Sequence, residues 1–315
     1  MKESFIKNEG FSVSWNLTAP PSNIVPIITL NTPVYKRTVT QHTRGAVGMT
    51  YVYPVVSRRA GGVSVGINLN PNNACNWRCL YCQVPGLQRG TAPEIDLAML
   101  ERELTEFMQQ LLHGDFMQTH VPESARRLND IALSGNGEPT SGKAFAEVIE
   151  VIARVMVQFE LVGKIRLVLI TNGSLMDKAH VQAGLRKMAG LGGEIWFKLD
   201  SATREGLRRI NDTEISPQRV LANLEIAASL CPTWLQTCVF ALDGAPPSAA
   251  EQAAYLDFIR QAVARGVALQ GVLLYGLARD SQQPEASRLS ALPAAWLDAY
   301  AAQIEDCGVK VKVSV

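Results

Sequence analysis

The feature that most narrows the possible folds is an alternation of two hydrophobic periods from residue 63 onward. Apolar, β-branched runs at 63–69, 130–134, 165–171, 194–200, 234–242 and 269–275 have the length and composition of buried strands. The stretches between them repeat at helical spacing. In 96–112, Leu97, Leu100, Leu104, Phe107 and Leu111 recur every three or four residues, and in 143–160 Phe145, Val148, Ile149, Ile152, Met156 and Phe159 do the same. Ser216 before Pro217 reads as a cap with a first-turn proline, and Ser248 with Glu251 as a capping box. Gly308 stops a last helix over 293–307, after which 309–315 alternates like a terminal strand. Strand–helix units in series imply a parallel sheet with right-handed crossovers. A doubly wound sheet and a barrel both satisfy that pattern, and periodicity does not choose between them.

Residues 1–62 read differently. They are rich in proline, aromatics and β-branched residues, as in 24–29 and 51–56, and show no helical period. They are expected to form an N-terminal extension of short strands and loops, joined at Gly61-Gly62 to a core over 63–315. Hydrophobic residues make up 47% of the 315-residue chain, enough for a sizeable core. The most apolar stretch, 148–170, is interrupted by Glu150, Arg154, Glu160, Lys164 and Arg166, so it does not read as a membrane span. No apolar signal region opens the chain, and the expected location is the cytoplasm. Thirty basic against 29 acidic residues leave a net charge of +1, which gives no support for a nucleic-acid partner.

The loop after the first core strand carries Cys75, Cys79 and Cys82 in a CxxxCxxC spacing. Three soft thiolates within eight residues converge only if the backbone curls tightly, and such ligands suit iron–sulfur irons. Three cysteines bind a cubane by three irons and leave the fourth open to a small molecule. Zinc is the competing metal, although its structural sites take four ligands, commonly in paired CxxC knuckles. Three simply buried cysteines are the third reading. A disulfide framework is not expected from six cysteines in a chain of this length.

Polar residues also collect where other strands end. The second strand runs into Gly135-Asn136-Gly137-Glu138-Pro139-Thr140, where a carboxylate and close-approaching backbone can meet an ammonium group. The third ends in Thr171-Asn172-Gly173. In the fourth, Lys198 and Asp200 share one parity opposite Ile195, Phe197 and Leu199, and either serve a ligand or pair with each other. Tyr275 and Arg279 follow at the end of the sixth.

With Tyr81 as the aromatic residue before Cys82, the triad is similar to the CxxxCxφC signature of the radical S-adenosylmethionine (SAM) superfamily. Gly135–Thr140 resembles that family's GGEP motif, with Asn136 in place of the first glycine. The resemblance covers roughly 63–280 and implies a partial (β/α)6 TIM-like barrel, with its site at the C-terminal strand ends. It implies a [4Fe–4S] cluster on Cys75, Cys79 and Cys82, and SAM chelated by the open iron through its amino and carboxylate groups. Reduction of the sulfonium would then yield a 5′-deoxyadenosyl radical that abstracts hydrogen from a substrate, with electrons from a flavodoxin- or ferredoxin-type donor. The residues it assigns to SAM are Tyr81, Asn136, Gly137, Glu138, Thr171, Asn172, Lys198 and Asp200. Trp77 would shield the cluster or simply pack. The Ser134–Thr140 and Lys198–Ser201 segments look most like a branch of Fe–S oxidoreductases that includes wyosine-type tRNA-modifying enzymes, making tRNA modification one alternative. A non-catalytic metal or Fe–S redox sensor is another.

Cys231 and Cys307 are expected at helix ends on the far side of the barrel, and Cys238 in mid-strand. A second cluster is therefore not expected. His42, His113, His120 and His180 show no ligand-like grouping.

Overall fold

The apolar runs become successive strands of one sheet: β1 (Val52–Ser57), β2 (Gly62–Ile67), β3 (Leu128–Leu133), β4 (Arg166–Thr171), β5 (Glu194–Lys198), β6 (Thr233–Val239), β7 (Leu269–Gly276) and β8 (Val311–Ser314). This computed structural model describes residues 48–57 and 62–314, which belong to one compact unit, Val34–Val315. The expected 24–29 strand lies outside the described residues.

Spatial order in the sheet equals chain order, and every pairing from β2 to β8 is parallel. That order answers the question periodicity left open. A doubly wound sheet must reverse direction at a switch point. Here each right-handed crossover advances to the next strand, so the helices collect on one side and the sheet curls into a partial barrel. The helices of eight residues or more are α1 (Leu97–His113), α2 (Phe145–Gln158), α3 (Ala179–Gly190), α4 (Arg204–Asn211), α5 (Pro217–Leu230), α6 (Ala249–Ala264) and α7 (Ala294–Glu305).

Local chemistry sets their ends. The Ser216 hydroxyl accepts from the Arg219 N–H ahead of Pro217, and Ser248 with Glu251 forms the expected capping box. Asp96 caps α1 by accepting from Met99 N–H at 2.9 Å. Two strands differ from expectation. The 234–242 run divides: β6 stops at Val239, and Ala241–Leu242 pairs antiparallel with Leu289–Ser290. Positive φ at Asp243 and Gly244 turns the chain away there. The 194–200 run ends as a strand at Lys198, leaving Asp200 in the following loop.

The core lies between sheet and helices. Phe107, Leu100 and Leu104 of α1 and Phe145 and Ile149 of α2 are buried against Ile67, Leu133, Leu169 and Ile195. The last four occupy one level across β2–β5 by register, and each such side chain contributes about 1.5–3 kcal/mol by burial. The same register brings the C-terminal ends of these strands to a common height.

The 51–56 run forms β1, an edge strand antiparallel to β2. Glu103 of α1 holds its start. Its carboxylate accepts from the backbone N–H groups of Thr50 and Tyr51 at 2.7 Å each and of Val52 at 3.2 Å.

Candidate active site

The cysteine loop begins one residue past β2 and is shaped by asparagines. Asn70 Nδ2 donates to the Ala74 carbonyl at 2.9 Å, and Asn73 takes a φ of 55°. Ala74–Cys75 then pairs with Gln88–Arg89, which closes the loop around Cys79 and Cys82. Distant segments clamp it from two sides. Arg78 N and Leu80 N donate to the carbonyls of Asn211 and Ile210 at the end of α4. From beyond β7, Ser281 Oγ donates to the Leu80 carbonyl at 2.6 Å and Gln283 Nε2 to the Val84 carbonyl at 3.1 Å. Arg78 grips Glu285 through two bonds of 2.8 and 2.9 Å.

All three thiols line one cavity of about 340 Å³, together with Trp77, Tyr81, the 134–138 turn, Asn172, Lys198, Gln236 and Tyr275. Burial pushes the Cys75 thiol up to about 11 and the Cys79 thiol up to about 12. A metal centre held by these sulfurs must therefore displace their protons as it binds. Among the described residues no group of three or more His, Cys, Asp or Glu side chains gathers tightly enough to hold a single metal ion. A cubane demands less convergence, because each thiolate meets a different iron.

Glu138 lines the same cavity beside Cys75, buried and surrounded by donors. Its Oε1 accepts from Thr140 N–H at 3.2 Å and from the hydroxyls of Thr140 and Thr171 at 2.6 Å each. Its Oε2 accepts from Asn172 N–H at 2.7 Å. Burial raises the Glu138 carboxyl above its ordinary range, against the pull of those donors. Two glycines make the close approach possible. A Cβ on Gly137 would lie 1.9 Å from the Ala74 carbonyl oxygen, so the turn and the cysteine loop touch through backbone. Gly173 has φ +69° and would set a Cβ 2.1 Å from the Phe197 ring. Asn136 bonds Asn73 Oδ1 at 2.6 Å, and Asn172 Nδ2 bonds Asn76 Oδ1 at 2.8 Å.

Lys198 and Asp200 do not form an ion pair with each other. Lys198 Nζ donates to the Tyr275 hydroxyl at 3.1 Å and sits 4.8 Å above the Tyr81 ring. Burial, the largest single influence, pulls its amine down, yet the combined negative field led by the Asp200 carboxylate holds it above its ordinary value, so it is a cation. Asp200 accepts from the Tyr81 hydroxyl at 2.5 Å and from Asn211 Nδ2 at 2.8 Å through Oδ2, and from Cys238 N–H at 3.0 Å through Oδ1. Asp200 and Thr171 thus stand one step behind the cavity, supporting Tyr81 and Glu138. Asp200 lines a second cavity of about 430 Å³. Arg279 is exposed on the loop after β7.

Cys238 is buried with Leu80, Tyr81 and Phe240. Cys231 ends α5, bonded to the Gly193 carbonyl, and Cys307 follows α7, facing the carbonyls of Leu256 and Gln303. Sequence reading did not assign Asn70, Asn73, Asn76, Gln236 or Asn211. The asparagine run 68–73 beside the triad was the available signal for the first of these. Gln236 and Asn211 gave none, because their relevance arises only from strand register and helix packing.

The Radical SAM superfamily model matches residues 69–245. A UPF0026 protein of Synechocystis sp. is 30% identical over 190 residues, 59% of this chain and 58% of the relative. A UPF0026 protein of Helicobacter pylori is 24% identical over 163 residues, 50% of this chain and 44% of the relative. The match thus spans about half the length of these curated relatives. A radical SAM methyltransferase from Sphaerobacter thermophilus superposes with a TM-score of 0.53 at 13% identity, over 84% of this chain and 68% of that one, a likeness of fold. With more than half its length matching the family model, the chain belongs to the radical SAM superfamily, enzymes whose cofactors are a [4Fe–4S] cluster and SAM.

Proposed function

We propose that this enzyme cleaves SAM reductively and abstracts hydrogen from a substrate held in the barrel, with Cys75, Cys79 and Cys82 as the cluster ligands. The observation that carries this is the meeting of the three thiols with Glu138, Asn172 and Lys198 in one cavity, from four different strand ends. The cluster, when bound, supplies the electron for the cleavage.

The chain's own groups serve binding and exclusion. Glu138 Oε1 is filled by three donors, while Oε2 takes only the Asn172 N–H and retains lone pairs for an ammonium group. Asn136 and Gly137 present the turn beside it. Lys198 supplies a positive charge for a carboxylate. An amino acid's two charged groups therefore find oppositely charged partners in one cavity. Tyr81 and Trp77, both largely buried, keep water from the cysteines. Thr171 and Asp200 position Glu138 and Tyr81. The electron comes from an external reductant, for which a flavodoxin or ferredoxin has suitable chemistry.

Anaerobic reconstitution of the full chain is the test. About four irons and four sulfides per chain are expected for one cubane, with SAM cleaved to 5′-deoxyadenosine and methionine on addition of dithionite. A full cluster that neither binds nor cleaves SAM under strong reductant overturns the proposal. Zinc without sulfide would favour a metal-sensing role instead.

A further inference from the structure

We infer that Asn211 is a positioning residue for the cluster, raising its reduction potential through an amide hydrogen bond to Cys79. The inference rests on Cys79 being a cluster ligand. Asn211 is the last residue of α4 and fully buried. Its Nδ2 donates to Cys79 Sγ at 3.2 Å and to Asp200 Oδ2 at 2.8 Å. Asp200 fixes which way the amide faces. The reverse orientation would set Oδ1 against a carboxylate already receiving the Tyr81 hydroxyl, so the N–H₂ end must face Asp200 and, with it, the sulfur.

The other end of the amide is telling. Asn211 Oδ1 is buried with no hydrogen-bond partner, as is Oδ1 of Asn223. An apolar residue of the same size would avoid that unmet acceptor. The side chain's donors, directed at a thiol and a carboxylate, are what the position uses.

The sign follows from charge. An N–H aimed at a ligand sulfur stabilises the more negative, reduced state, and outer-shell hydrogen bonds of this kind tune metal centres. It also separates the Asp200 carboxylate, whose charge opposes reduction, from the sulfur. Removing the amide makes the cluster about tenfold harder to reduce at equilibrium, or about 59 mV for one electron.

The test uses reconstituted full-length protein without SAM. Asn211→Leu keeps the volume and removes the donors, and Asn211→Asp keeps the shape and replaces them with acceptors. An EPR-monitored redox titration should show a lower midpoint for both. Resonance Raman in H₂O and D₂O should show a deuterium-sensitive Fe–S(Cys) stretch in the wild type that weakens in both variants. Asn223→Leu removes an equally buried asparagine, whose Nδ2 instead donates to the Gly173 carbonyl, and should leave both readouts unchanged. An unshifted midpoint with an unchanged isotope effect overturns the inference and leaves the proposed reaction standing. Loss of the cluster from both variants also overturns it, by making Asn211 a structural support alone. A wild type that binds no cluster overturns the reading beneath it, and the inference with it.

Discussion

Glu138→Gln tests whether a buried carboxylate organises the site. Glutamine matches the shape of Glu138, and its oxygen can retain the three donors on the Oε1 side. Its amide nitrogen must then face Asn172 N–H, which now lies 2.7 Å from Oε2. One charge-assisted bond becomes a donor–donor clash and leaves a buried backbone N–H unmet, a loss of about 1.5–3 kcal/mol. Removing the charge works the other way, because burial already raises this carboxyl. The clash wins by part of its size, so a net loss of about 1–2 kcal/mol is expected, a factor of about 5–30 in the folded ratio. The sign with pH is distinct. A folded carboxyl raised above its ordinary 4.5 holds its proton where the unfolded one has lost it. This group's contribution is therefore fully present below pH 4.5 and falls as pH rises toward the folded value, by at most about 1.4 kcal/mol per unit. Urea unfolding of cluster-free wild type and Glu138→Gln at pH 4 to 8 measures both effects. The variant should be less stable and should lack that decline. Equal stability with parallel pH profiles would refute the reasoning, because Glu138 would then be an ordinary exposed carboxylate.

Three further outcomes follow from the geometry. Gly137→Ala drives a methyl to 1.9 Å from the Ala74 carbonyl, so the cysteine loop must shift; a loss of about 1–3 kcal/mol and a fall in reconstituted iron are expected, and full iron loading would contradict the close approach. Lys198→Met keeps the packing over Tyr81 but removes the cation, so SAM binding by calorimetry should weaken about tenfold or more with iron content unchanged, as for a lost charged hydrogen bond. Burial pushes the Cys231 thiol up to about 12 from 9.0; its contribution is present below pH 9 and lost as pH rises toward 12, so Cys231→Ala should unfold in urea with a shallower decline between pH 8.5 and 10 than wild type.

The parts readable in the sequence were those governed by short-range physics. The Ser216 and Ser248 caps and the α1 stripe appear where expected, because caps and helical periods involve residues three or four apart, while the last helix ends at Glu305, two residues short of the expected 307, with Gly308 at positive φ beyond it. The turns at Gly135–Thr140 and Thr171–Gly173 were visible for the same reason. Asp200 was less readable. Alternation put it on a ligand-facing side, but β5 ends at Lys198, and the carboxylate turns to Tyr81, Asn211 and Cys238, partners 119, 11 and 38 residues away. No local pattern encodes such a set.

By itself the sequence determined the strand–helix alternation, the thiol triad and the polar turns behind three strands, since each depends on neighbouring side chains and backbone freedom. The tertiary structure decided the rest. Strand order made the sheet a curled barrel. Register brought Glu138, Asn172 and Lys198 to the level of the cysteines. The 281–285 segment, some 200 residues on, clamped the loop that carries them. These outcomes rest on contacts between residues far apart in the chain, and only the closure of the sheet brings such residues within bonding distance.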